Sequence, residues 1–369
     1  MCSIFRKVPI NGGIINLDIF TNVVTIKTLS FKSMRLFSLS VLFSAAFLGA
    51  AEGEPVTLRV GFFPNLTHSP ALAARQLERE GTDWHLANLP KGSKIEWRSF
   101  NAGPSAMEAL LAGAVDLTYV GPSPVINAHV RTKGNELRIL APVARAGNAL
   151  VVRKGLGLKT PKDFIGRRVA TPQLGNTQDI DARVWLRAGG LTIKVNGGDA
   201  QVIPAQNAEL VLLFSRGDVD AAWTVEPWVT RLTSEFGGEI LFEKKDAIIT
   251  VLASSKTALA KYGKGIEAFV RSHYALRDKL LADQAWHEKL IIAGLGGETR
   301  STPPKATLIG PALGRVIFDA REEDAIRKAR LTAAFTHALK DSKDSGLLNG
   351  DAPIAPLLES LVSDAPAVK

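Results

Sequence analysis

The turn Gln173-Leu174-Gly175-Asn176-Thr177-Gln178 sets several hydrogen-bonding side chains beside a glycine, directly before a helical pattern that runs to Ala188. Asn176 or Thr177 can cap that helix with a side-chain oxygen, and Gly175 frees the backbone of the turn. A helix start exposes unpaired N–H groups and the positive end of its dipole, so the turn suits an anion. The same residues also suit an ordinary strand–turn–helix, and the turn alone does not separate the two uses. Further donors stand at other expected strand ends and helix starts: Asn65, Thr67, Ser105, Ser123 and Asn148. Each alone serves equally well as a cap. As a set they describe a site where helix starts neutralise an anion without a buried Arg or Lys.

Phe63, Tyr119, Trp223 and Trp228 can wall such a site, although each suits the core equally well. Glu226 is the exception, because a carboxylate repels an anion unless it is paired. A backbone amide or an Arg near a hinge, or the amino group of a zwitterion, would pair it; the Glu-Pro step also suits a helix start. Catalytic signatures are absent: residues 52–369 contain no nucleophile elbow, phosphate-binding Gly-Lys-Ser/Thr loop or dinucleotide fingerprint. The histidines at 68, 85, 129, 273, 287 and 337 are scattered without zinc spacing, and His68 is read as a surface or capping residue. No cofactor and no metal is expected.

The elements that must position these residues alternate in type. Val56–Phe63, Lys94–Phe100 and Asp116–Val120 read as strands, each followed by a Gly-, Pro-, Ser- or Asn-rich turn and a helix. Ala149–Val152, Val169–Ala170, Asp199–Ile203 and Val219–Trp223 repeat the pattern with helices between them. Asp116-Leu117-Thr118 and Asp220-Ala221-Ala222 echo one another, each preceded by a helix that ends at Gly. The expectation is an α/β protein with two similar lobes, ligands meeting the carboxyl ends of parallel strands. Ile248–Ala253 is expected to return the chain to the first lobe antiparallel to Ala149–Val152, so that two crossings form a hinge. The lobes are then 55–148 plus 250–345, with C-terminal packing helices, and 149–249; 346–369 reads as a loose tail.

Residues 1–51 stand apart. Lys32 and Arg35 precede an uncharged apolar run that ends in Gly49-Ala50-Ala51, as a secretory signal peptide over 34–51 would, cut after Ala51. Residues 1–33 then have no role in export and read as a non-native upstream extension, with Met34 as the initiator. Of 45 basic and 36 acidic residues, this segment holds five (Arg6, Lys7, Lys27, Lys32, Arg35) and one (Asp18). The remainder therefore keeps 40 and 35, a net charge near +5, with no basic cluster to suggest nucleic acid. The one cysteine, Cys2, lies in the same segment, so the rest has no disulfide or thiol chemistry.

The segments VGFFPNLTHSPAL, FNAGPSAMEALLAGAVDLTYVGPSP, VATPQLGNTQDIDARVWL and DAAWTVEPW follow in this order and spacing. Over roughly residues 55–300 they resemble the periplasmic substrate-binding proteins of ABC importers, of the nitrate/taurine/aliphatic-sulfonate type, related in fold to thiamine-precursor proteins. The resemblance implies a hinged, two-lobed fold of the type II kind that closes on a small anion in the interlobe cleft. It implies a monomer in the periplasm that serves an inner-membrane permease with its cytoplasmic ATPase. An aliphatic sulfonate or taurine is the expected ligand. A thiamine-pyrimidine precursor protein or synthase, and a secreted sensor, are the alternatives. The residues expected at the ligand are Phe63, Asn65, Thr67, Ser105, Ser123, Asn148, Asn176, Thr177, Gln178, Trp223, Glu226 and Trp228.

Overall fold

The computed structural model describes residues 5–10, 13–20, 23–27, 54–298, 304–348 and 354–363. The chain divides into two compact units, residues 1–51 and 52–369. In the first, β1 (Phe5–Ile10), β2 (Gly13–Phe20) and β3 (Val23–Lys27) form an antiparallel sheet in that order. Sequence reasoning assigned no element there. The expected signal peptide over 34–51 lies outside the described residues.

The second unit opens with β4 (Thr57–Phe62), α1 (Ser69–Arg79), β5 (Lys94–Ser99), α2 (Gly103–Leu111), β6 (Leu117–Val120), α3 (Pro122–Arg131) and β7 (Leu137–Ala146). Proline in the first turn of α1, α2 and α3 pre-sets each helix start and gives up only an N–H that lacks an intrahelical partner. The chain then builds β8 (Asn148–Val152), β9 (Arg168–Thr171), α4 (Thr177–Ala188), β10 (Gln201–Pro204) and α5 (Asn207–Arg216). These lead into β11 (Ala221–Val225), α6 (Trp228–Phe236) and β12 (Glu239–Glu243). Last come β13 (Ile248–Ser255), α7 (Lys256–Ala282), α8 (Gln284–Glu298), α9 (Ile309–Leu313), β14 (Val316–Phe318), α10 (Asp324–Asp344) and α11 (Ile354–Ser363).

Two sheets result, in the orders β14-β7-β13-β6-β4-β5 and β10-β9-β11-β8-β12. In each, one end is a parallel trio, β6-β4-β5 and β10-β9-β11, and antiparallel strands extend the sheet on the other side. The chain leaves the six-stranded sheet at Ala146 and Gly147, whose φ angles of 62° and 64° turn it sharply into β8. It returns between Glu243 and Ile248. A side chain at Gly147 would meet Val316 Cγ2 at 2.8 Å, so both space and conformation call for glycine there.

Three expectations need correction. β13 does not pair with Ala149–Val152; its antiparallel partners are β7 and β6. The long strand β7, fully apolar apart from Arg138, Pro142 and Arg145, received no assignment because its sequence has no alternation, as befits a strand buried on both faces. Within the expected loose tail, the described residues 354–363 form a helix. In α11, Leu357, Leu358, Leu361 and Val362 are buried, and His129 Nε2 lies 2.9 Å from Leu357 O. Finally, α10 packs on both lobes, against α3 and against α4, where Arg187 donates to Asp344 O at 3.1 Å.

Candidate functional site

The carboxyl ends of the parallel strands of both sheets lead into one cleft, where five helices begin. Its lining includes Asn65, Thr67 and His68 before α1, Ala102 and Gly103 at α2, and Gly121 at α3. The second lobe adds Asn176, Thr177 and Gln178 at α4 and Asn207 at α5. Phe63, Asn101, Pro124, Pro172, Val225 and Ile249 complete the wall around a cavity of only about 30 Å³. That is far below the ~300–1,000 Å³ common for ligand pockets, so the lobes stand nearly closed on one another here. No Asp, Glu, Lys or Arg lines it.

The lobes meet directly across this cleft. Trp228 Nε1 donates to Asn65 Oδ1 at 2.9 Å, and Asn207 Nδ2 approaches the same oxygen at 3.4 Å. Asn101 Nδ2 donates to Pro172 O and Ser105 Oγ to Gln173 Oε1, both at 3.1 Å, while Leu66 N donates to Glu226 O at 2.9 Å. At Gly121 the approach is closest: a Cβ there would stand 2.3 Å from Thr177 Oγ1. Glycine is what allows the starts of α3 and α4 to face one another. Thr177 Oγ1 is buried there without a hydrogen-bond partner, a costly state unless something else fills the bond.

The turn before α4 is held from behind. Asn176 caps the helix by accepting from Asp179 N at 2.8 Å. Asp179 accepts in turn from Gly175 N, Thr171 Oγ1 and Arg183 Nε at 2.8–3.2 Å. The pair Asp179–Arg183 is sealed under the helix, so its charge stays out of the cleft.

Of the twelve residues expected at the ligand, the cleft gathers Phe63, Asn65, Thr67, Asn176, Thr177 and Gln178. The other six lie elsewhere. Ser105 forms the interlobe bond to Gln173, and Trp228 lines an outer groove with Pro64, Phe100 and Asn101. Trp223 sits two residues before the end of β11, wholly buried against Trp185 and Phe242, its Nε1 donating to Asn148 Oδ1 at 3.0 Å. Asn148 and Ser123 line a separate cavity on the hinge side. Tyr119 is also core, its hydroxyl 2.9 Å from His273 Nδ1.

Glu226 takes the structural role. Its carboxylate is fully buried, 2.7 Å from Arg315 Nε, and accepts from Thr230 N and Oγ1, both at 3.0 Å. Burial pushes its pKa up to about 7, against the pull of Thr230 and Arg315. No cleft carboxylate is therefore left for an amine.

His68 is the reverse correction. It is buried in the cleft wall, stacked near Phe63, with Nδ1 accepting from Phe63 N at 3.3 Å. Burial lowers its pKa to about 3, so the ring is neutral and carries its proton on Nε2. Asn101, Gly121 and Asn207 were also missed, although each stands at a strand-to-helix turn. Among the described residues no cluster of His, Cys, Asp and Glu could hold a metal ion.

Solved structures share this fold. The alkanesulfonate-binding protein SsuA of Xanthomonas axonopodis pv. citri, bound to MOPS, superposes with a TM-score of 0.67 at 22% identity, over 83% of this chain and 98% of that one. The nitrate-binding protein NrtA of Synechocystis PCC 6803 gives 0.64 at 17% identity, over 84% and 86%. The fold is thus that of periplasmic binding proteins. In sequence, the taurine-binding periplasmic protein of Escherichia coli is 27% identical over 187 residues, 49% of this chain and 56% of its own length. A putative aliphatic sulfonates-binding protein of the same organism is 26% identical over 239 residues, 64% and 70%. The chain thus matches little more than half of the first relative. The match that spans the cleft and all of the two sheets except β14 is to the NMT1-like family, over residues 51–293, and the chain belongs to that family.

Proposed function

We propose that the protein captures a small oxyanion between its lobes, an aliphatic sulfonate or taurine, and delivers it to an ABC permease in the inner membrane. Export to the periplasm and a partner ATPase on the cytoplasmic side belong to the same proposal. One observation carries it: five helix starts and a set of amide and hydroxyl side chains surround a cleft with no charged lining residue. Each helix start contributes roughly half a positive charge, fixed in place and without a proton to lose. A permanently ionised, weakly basic anion gains most from such a site, because it needs many donors and no acid. The relatives named for taurine, sulfonates and nitrate support this choice. Such a role requires no catalytic group.

A thermal-shift screen tests it with alkanesulfonates, taurine, nitrate, bicarbonate and hydroxymethyl-pyrimidine compounds. A ligand of the native state stabilises it by about 2.7 kcal/mol at a hundredfold excess over Kd. A rise in melting temperature with sulfonates supports the proposal. A rise with the pyrimidine compounds alone would replace it with the thiamine-precursor reading.

A further inference from the structure

The side-chain amides of the cleft are locked in one orientation. Trp228 Nε1 and Asp179 N can only donate, so the atoms facing them, on Asn65 and Asn176, are carbonyl oxygens. The rest follows by elimination. Asn176 then offers its nitrogen to Gln178, whose facing atom at 2.9 Å must be Oε1. Asn207 meets the Asn65 oxygen with its nitrogen, so its oxygen turns to Thr224, whose hydroxyl donates at 2.7 Å. Four amide oxygens are thereby occupied by the protein. The amide nitrogens of Asn65 and Gln178 have no partner among the described residues and stay open to the cleft that both residues line. His68 adds a further donor at Nε2, since Nδ1 is taken. Asn101 differs, spending its nitrogen on Pro172 O and keeping an oxygen where the cleft meets the outer groove.

From this geometry we infer that the cleft selects oxyanions whose head group carries no proton, and that Thr224 is a positioning residue for that selectivity. The inference rests on the oxyanion reading above and narrows its ligand class. Away from the Asn101 oxygen at the rim, a hydrogen on the anion would point at donors, leaving both unpaired. Thr67 and Thr177 can accept such a hydrogen only by turning their own hydroxyl protons away from the anion. Nitrate and bicarbonate are planar and similar in size but differ by that hydrogen, as do methanesulfonate and singly ionised methylphosphonate in a tetrahedral frame.

Titration calorimetry on the purified protein compares nitrate with bicarbonate at about pH 8, where bicarbonate is the dominant species, and methanesulfonate with methylphosphonate at about pH 6. The proton-free member should bind at least about tenfold tighter. Raising the pH until methylphosphonate loses its second proton should narrow that gap, while methanesulfonate affinity stays flat. Equal affinities within the pairs, or a gap that ignores pH, would overturn the inference while leaving the oxyanion reading intact. No binding by any of the four would overturn both. Thr224→Val removes the hydroxyl that occupies the Asn207 oxygen and leaves an open acceptor beside the cleft, so the gap should shrink several-fold, while Thr224→Ser, which keeps the hydroxyl, should preserve it. A merely structural role would weaken both members equally and would exclude Thr224 from the inference. Melting temperatures of both variants report whether each is folded.

Discussion

The two lobes are joined differently on their two sides. In the cleft they meet through neutral groups: the indole of Trp228 on Asn65, Asn101 on a carbonyl, Ser105 on Gln173. On the hinge side they meet through ions. Lys244 lies 2.6 Å from Asp181 on α4 and 3.2 Å from Asp341 on α10, and Arg315 joins Glu226 to Glu243 at 2.7 and 2.6 Å. Burial pulls the Lys244 pKa down, and the two carboxylates more than offset it, so the ammonium stays charged. Thr177 and Ile249 line both the cleft and the hinge-side cavity, so a single layer of residues separates the two regions. The contrast has a physical reason. Ion pairs in the cleft would compete with an incoming anion for every positive dipole, whereas behind the hinge they bind the lobes without that conflict.

The sharpest way to break this division is to put charge where none stands. Gln178→Glu keeps the oxygen that accepts from Asn176 and replaces the free nitrogen with a charged oxygen. Anion affinity should fall roughly a hundredfold, about 3 kcal/mol, by calorimetry.

At the hinge, the raised pKa of Glu226 means that the folded state holds its proton more tightly than the unfolded chain does. Its contribution to stability is therefore full at low pH and declines as pH rises from about 4.5 to about 7. Across that window Glu226→Gln should gain on the native protein by roughly 3 kcal/mol, read from denaturation midpoints at pH 4 and pH 8. Parallel pH profiles would show that this buried carboxylate is not set apart from the surface ones.

Lys244→Met strands the buried Asp181 beside Asp341. It should cost about 2 kcal/mol in stability, less than for a sealed pair because Lys244 keeps partial access to water. Ligand affinity should change by less than it does in Gln178→Glu. The smallest effect is expected from Ser105→Ala, which removes a half-buried interlobe bond at the cleft rim. It should cost about 0.5–1 kcal/mol in stability, with a few-fold loss of affinity.

The same contrast explains what was legible in the sequence. Strand-to-helix turns carry local signals, so Asn65, Thr67, Asn176, Thr177 and Gln178 could be picked out by their position before a helical pattern. Asn101, Gly121 and Asn207 obey the same rule and were open to the same reasoning. Trp223 and Glu226 were chosen for side-chain type, and type does not reveal which way a mid-strand residue faces or what arrives from a distant segment. Arg315 reaches Glu226 from 89 positions along the chain, a pairing that no local pattern announces. The strand β7 was invisible for a related reason: burial on both faces erases the alternation on which strand recognition depends. α11 was masked by its Pro- and Ala-rich surroundings, although its leucines recur at helical spacing.

The central claim is that an uncharged, donor-lined cleft between the lobes binds a small oxyanion. Ethanesulfonate titrated calorimetrically into the native protein and into Gln178→Glu, at neutral pH and low salt, tests it most directly. The account predicts saturable one-to-one binding to the native protein, weakened roughly a hundredfold in the folded variant. Equal affinity in the two proteins would place the anion elsewhere and contradict it.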